Sequence, residues 1–283
     1  MRLAILCGRS TRAAYVANTL CACHPVICIV REVGHEYSWR KLRAHLRPAT
    51  LRAKLYRHIR PWLFPPDLDE RRFFFPERPA TFHDPQRVHA VGHINAPGVV
   101  ELLQRLRIDT IAVFGTSVLR NPALLGLAPG RTLNLHGGIS PWYRGADSTF
   151  WALYNRDFDR IGCTIHHIAR RIDAGHLIAH VHPPIEPGDR ESHLFAKAIK
   201  LAAPVYAQAL ARLSAGEPLG IPQPPGGRLY LQRERHYRHD RELWRRYRAG
   251  GFPGIRRPSQ VVWYPAQATI PAAPDAALAA TGP

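Results

Sequence analysis

Apolar residues along this chain alternate between two kinds of run. Arg2 to Cys7 and Val26 to Val30 are short and almost uniformly apolar, as strands buried on both faces should be. Between them Gly8-Arg-Ser-Thr11 is a turn, and Ser10 or Thr11 can cap a helix reaching about Leu20. Strand, capped helix, strand is the opening of a doubly wound α/β domain. The order resumes with a helix from Val99 to Arg107 and a strand from Thr110 to Phe114. A short helix over Pro122 to Leu127 and a strand beginning at Thr132 follow. Then come a helix over Ala146 to Tyr154, strands at Ile161–Ile168 and Leu177–Val181, and a long amphipathic helix from Glu191 to Leu213. The fold class is therefore α/β, with a mostly parallel sheet.

Two stretches interrupt this rhythm. Between about residues 35 and 85, Trp39, Leu42, Leu46, Leu51, Leu55, Ile59 and Trp62 recur at helical spacing with Arg and Lys between them. They predict one or two basic amphipathic helices, ended by Pro65-Pro66, then loop to Pro85 with at most one short strand. Such helices can pack on the domain, cover a site or lie on a membrane surface. After the long helix, residues 221–257 are rich in Arg and Tyr, a pattern that suits either phosphate and base contacts or a solvated helix packed by Leu243, Trp244 and Tyr247. A Pro/Ala-rich tail over 258–283, with Trp263 and Tyr264 as its last anchors, is expected to be disordered. The division is thus a domain over 1–220 with its insert, an extension and a tail.

Composition changes the picture in one respect. The net charge is +18, carried almost wholly by arginine, which favours nucleic acid, anionic membrane surface or phosphorylated substrates. No apolar run reaches the length of a membrane span, and the first strand is too short for a signal peptide. Five cysteines suggest no disulfide framework but free thiols in a reducing cytoplasm. Cys21, Cys23, His24 and Cys28 match no common zinc spacing, so no metal is expected.

The candidate chemistry lies in Thr132-Leu-Asn-Leu-His-Gly-Gly-Ile-Ser-Pro-Trp-Tyr-Arg-Gly145 and in Ile172-Asp173-Ala-Gly175. Asn134 and His136 are two apart on a strand end, so they share a face, and a Gly-Gly turn follows that leaves room for a ligand. Asn can donate to a developing oxyanion, His can carry a proton near neutral pH, and a carboxylate returning to the imidazole would orient it. That combination suits acyl transfer to or from nitrogen.

With Gly162-Cys-Thr-Ile-His166 added, these motifs resemble the folate-dependent formyltransferase family, most strongly from Ile108 to Ile185. The resemblance implies a Rossmann-like formyltransferase fold, a catalytic trio of Asn134, His136 and Asp173, and 10-formyltetrahydrofolate as formyl donor. It also implies a pterin pocket read by main-chain groups of Ser117, Val118 and Leu119, with His166 and Ile172 beside it. The first turn departs from the family's Gly-Asn-Gly-Ser form. Only Gly8 and Ser10 remain, flanked by Arg9 and Arg12, which leaves a phosphate role and a plain turn both open. The short extension argues against tRNA as acceptor and the altered turn against glycinamide ribonucleotide. A small anionic amine, such as a nucleotide-linked amino sugar, is the expected acceptor. The alternatives are a formyltetrahydrofolate hydrolase and a nucleic-acid-binding protein on the same scaffold.

Overall fold

The structure is a computed structural model, and it describes residues 1–34 and 48–265. Trp39, Leu42 and Leu46, and the Ala-rich stretch from 266 onward, lie outside the described residues.

Five parallel strands make one half of the sheet. β1 (Leu3–Cys7) pairs with β2 (Val26–Glu32) on one side and β4 (Thr110–Phe114) on the other. β3 (Val88–Val91) extends the sheet beyond β2, and β5 (Thr132–His136) beyond β4. Past β5 the direction reverses: β7 (Cys163–His167), β8 (Leu177–His182) and β10 (Gln260–Trp263) add antiparallel, giving the order β10-β8-β7-β5-β4-β1-β2-β3. A separate ribbon joins β6 (Tyr143–Gly145) to β9 (Arg228–Tyr230) in parallel.

Helices cover both faces. On one, α1 (Thr11–Cys23) and α7 (Glu191–Ser214) bury Leu3, Ile5, Leu133 and Ile165. Ser10 caps α1, its hydroxyl accepting from the Ala13 N–H. On the other face α4 (Pro97–Arg105) and α5 (Pro122–Leu125) pack on Ala4, Leu6, Val30 and Ile111. A third cluster joins Phe150 and Trp151 of α6 (Ser148–Tyr154) to Tyr230 and to Leu243 of α8 (Tyr237–Arg248). The C-terminal extension is thus packed into the domain.

Three stretches differ from the sequence-based expectation. The insert forms α2 (Pro48–Leu63), but the run beyond it is not all loop. It contains α3 (Glu70–Phe74), capped by Asp69 and anchored where Phe74 and Phe75 meet Tyr15 of α1. The outer strand β3, Val-His-Ala-Val, was not foreseen: it is an edge strand with exposed His89 and Ala90, so its apolar content is low. Within the tail expected from residue 258, Gln260 to Trp263 are ordered: they zip onto β8, and Trp263 stacks under the Arg212 guanidinium.

Candidate active site

β5 is the pivot. Leu133 and Leu135 point into the α1/α7 core, so Asn134 and His136 emerge together on the opposite face. β7 runs antiparallel beside it and sets His166 directly across from Asn134. The Asn134 Nδ2 amide lies 3.0 Å from His166 Nε2 and donates toward Asp173 Oδ1 at 3.4 Å. His166 Nδ1 donates to the His167 carbonyl at 2.7 Å, which fixes the ring with Nε2 toward Asn134 and Asp173.

Asp173 reaches the strand end from the loop after β7. Gly175 makes the return possible: a Cβ there would sit 1.7 Å from the His167 carbonyl oxygen, so only glycine lets the loop fold back so closely. Asp173 adopts left-handed backbone (φ 47°), and Gln223 clasps the loop through the carbonyls of Asp173 and Gly175, each at 2.8 Å. Its carboxylate then lies 3.3 Å from His136 Nδ1 and 3.5 Å from His166 Nε2, and it accepts from the Gly145 N–H at 2.9 Å. Burial alone would raise this carboxyl. The His136 and His166 imidazoles and the Gly145 amide outweigh that and hold it well below the usual carboxylate range.

His136 Nε2 donates to the Tyr143 carbonyl at 2.9 Å, with Ser148 Oγ at 3.4 Å. The ring thus meets a carbonyl at one nitrogen and a carboxylate at the other. The three residues expected to act together are therefore brought together, and His166 joins them as a fourth member. Sequence reasoning missed the two backbone groups of β6, the Tyr143 carbonyl and the Gly145 N–H. No side-chain letter marks them; the only signal was the nearness of Tyr-Arg-Gly to the motif.

Two cavities meet at His136. The first is a cleft of about 1020 Å³ between the turn after β4 and the loop carrying Asp173. Ser117, Val118, Leu119, His166 and Ile172 all line it, with Asn134 and Asp173 at its floor. The turn is held from outside: Glu32 accepts from the Ser117 N–H at 2.6 Å and from the Ile94 N–H at 3.0 Å, and Asn95 donates to the Val118 carbonyl at 3.0 Å. The Ser117 N–H is thus committed to Glu32, and main-chain reading of a ligand falls to the other peptide groups of the turn. Arg9, Arg12, Arg120 and Arg171 line this cleft against Asp147 and Asp173, so it is positive. Arg9 and Arg12 of the first turn face it, while Ser10 is spent as the helix cap.

The second cavity, about 460 Å³, is a chamber on the other side of His136. It shares Arg12, His136, Gly137, Gly145, Asp147 and Phe195 with the cleft. A Cβ on Gly137 would meet Phe195 Cε2 at 2.4 Å, so this glycine lets the ring stand at the junction. Arg60 and Phe64, from α2 and the residue after it, form one wall, and Leu243, Trp244 and Tyr247 of α8 another. Both basic stretches therefore border the site. Each chamber arginine has a carboxylate: Arg12 with Glu70, Arg60 with Asp147, Arg190 with Asp67. Arg235 binds Glu191 through two hydrogen bonds and also pairs with Asp147 and Asp240. The chamber is charge-balanced where the cleft is positive.

An α/β sheet thus carries an amide, an imidazole and a carboxylate at the end of a central strand, between two cavities. A family model described as formyl transferase matches residues 78–210. Over that stretch the chain is similar to the formyl transferase family, whose members are enzymes that transfer formyl groups. Solved structures share the fold. Glycinamide ribonucleotide transformylase 1 of Symbiobacterium toebii is 17% identical, with 77% of this chain and 89% of that one covered at a TM-score of 0.52. A 4-N formyltransferase of Francisella tularensis is 12% identical over 81% and 76% at 0.54. A sugar N-formyltransferase of Shewanella is 12% identical over 82% and 77% at 0.52. Most of the insert, with α2, and the extension with β9 and α8 lie outside the matched residues.

Proposed function

We propose that this enzyme moves a formyl group from 10-formyltetrahydrofolate to the amine of an amino sugar, nucleotide-linked or otherwise carried. The observation that carries the reading is the junction at His136, where a positive cleft and a charge-balanced, aromatic-walled chamber open onto the same imidazole. The cleft suits a folate. Val118, Leu119, Ile168 and Ile172 give an apolar slot, the turn supplies peptide edges, and exposed Arg9, Arg120 and Arg171 suit the carboxylates of its tail. The folate supplies the formyl carbon. The chamber suits a sugar, with Phe64, Phe195 and Trp244 offering faces for a ring and carboxylates at hand for hydroxyls.

As the amine attacks, negative charge grows on the formyl oxygen. Asn134 and the His136 imidazolium are the donors for it, each exchanging one present acceptor for that oxygen. A single such donor is worth about 3–4 kcal/mol of barrier in comparable acyl transfers. Asp173 orients His136 and takes part in moving the amine proton toward the departing nitrogen. His166 fixes the Asn134 amide. The charge balance of the chamber shifts the expected anion from the reacting end of the acceptor to the folate tail. A carrier phosphate belongs at the rim.

Incubation with 10-formyltetrahydrofolate and a panel of amino sugars, free and nucleotide-linked, with products weighed by mass spectrometry, tests this. A 28-Da gain on one sugar is the expected result, 28 Da being roughly the mass of a formyl group less the hydrogen it replaces. Formate released at the same rate without any amine would instead assign a hydrolase.

A further inference from the structure

Helix α2 is inside out. Its inward side is polar: the Tyr56 hydroxyl donates to Asp240 Oδ2 at 2.6 Å, and Arg60 pairs with Asp147 at 3.5 Å. Its outward side is apolar, with Leu51 57%, Leu55 62%, Ile59 42% and Trp62 88% exposed. At 100° per residue these four fall within about 80° of the helix circumference, a straight stripe roughly 16 Å long. A surface helix of a soluble protein turns such a stripe toward the core, and an exposed one marks an interaction surface.

The charge around the stripe selects the partner. Arg52 flanks it on one side, Lys54 and His58 on the other. From Tyr37 to Pro66 the sequence carries eight Lys and Arg and no Asp or Glu. A second copy docked face to face would bring like charges together. What complements an apolar stripe between rows of cations is an anionic bilayer surface. The stripe lies at the acyl boundary, long cationic side chains reach the head groups, and a tryptophan sits at the interface. No described helix is long and apolar enough to cross a membrane, so the contact is peripheral.

We propose that the apolar face of α2 docks the enzyme on anionic phospholipid membranes, lying parallel to the surface. The chamber is walled by the same helix, so the docked enzyme holds its acceptor site beside the bilayer. The full chain should co-sediment with vesicles of phosphatidylcholine containing about 30% phosphatidylglycerol, and much less with phosphatidylcholine alone. Leu55→Ser/Ile59→Ser should weaken the anionic-vesicle affinity at least about tenfold, as should Arg52→Glu/Lys54→Glu. Circular dichroism and melting temperature should stay unchanged in both, because these side chains face away from the domain. Equal binding to both vesicle types, or anionic binding that neither variant weakens, overturns the proposal. A dimer in sedimentation velocity without lipid that Leu55→Ser/Ile59→Ser abolishes assigns the stripe to a second copy and also overturns it. Failure to bind any vesicle, with the stripe protecting an acidic protein partner instead, has the same consequence.

Discussion

Tyr206 belongs to α7, yet its hydroxyl completes the sheet. It accepts from the Val113 N–H at 2.8 Å and donates to the Leu133 carbonyl at 2.8 Å, bridging β4 and β5 one residue short of Asn134. Tyr206→Phe leaves both backbone groups unpaired in a fully buried place. It should cost about 1–3 kcal/mol in denaturant unfolding and lower turnover, because the end of β5 is no longer fixed. Asp173→Asn isolates the carboxylate charge, since Asn tolerates the same left-handed backbone. We expect turnover to fall by orders of magnitude with circular dichroism unchanged. Unchanged turnover in Asp173→Asn would separate the carboxylate charge from the chemistry. His180 gives a different readout. Burial, with the neighbouring His182, pushes its imidazole down to about 4. Between about pH 6.5 and 4 the unfolded chain binds the proton that the folded chain refuses, so stability falls as pH falls through that window. The loss is of order 3 kcal/mol. His180→Phe should shrink the drop in melting temperature between pH 7 and pH 4.5.

The residues of the site differ in how plainly they could be read. Asn134 and His136 were legible because strand alternation is local: two letters two apart must share a face. Asp173 needed the resemblance, since nothing in its own neighbourhood says that its loop folds back over β7. Tyr206 was hidden because a tyrosine on an amphipathic helix reads as core, and the Tyr143 carbonyl because peptide groups are the same at every position.

At the scale of elements, the chamber depends on one cation. Arg235 is 5% exposed, stacks 3.6 Å over Phe150 and ties together Glu191 at the start of α7, Asp147 before α6 and Asp240 in α8. Asp240 in turn accepts from Tyr56 of α2. Removing the guanidinium leaves three carboxylates facing one another with little water. Arg235→Met should lower stability by about 3–5 kcal/mol and raise the acceptor KM, while folate affinity, measured by calorimetry, barely moves. A variant with unaltered acceptor kinetics would detach α8 from substrate binding. The helix in the insert was legible from its apolar spacing, but which face turned inward was not. Periodicity alone puts the leucines in the core, and here the buried partner is a carboxylate cluster that favours the polar face.

For the molecule as a whole, β9 is the distant piece that the site needs. β6 supplies the acceptor for His136 and a donor for Asp173, and β6 is itself held by β9, through the Arg228 N–H to the Trp142 carbonyl and the Ala146 N–H to the Tyr230 carbonyl. Arg228→Pro deletes the first of these donors on an exposed residue. It should reduce kcat about tenfold relative to Arg228→Ala with little change in folate affinity. Equal kcat values would show that the ribbon is dispensable. The same arrangement sets a schedule for synthesis. His136 and Asp173 leave the ribosome well before Arg228 to Tyr230, with 57 residues (230 − 173) between the aspartate and the end of β9. At roughly 5–20 residues per second that is an interval of about 3–11 s. During it the nascent chain has Asn134, His136 and Asp173 but not the ribbon that holds β6 beside them, so the site is completed only as the C-terminal extension docks.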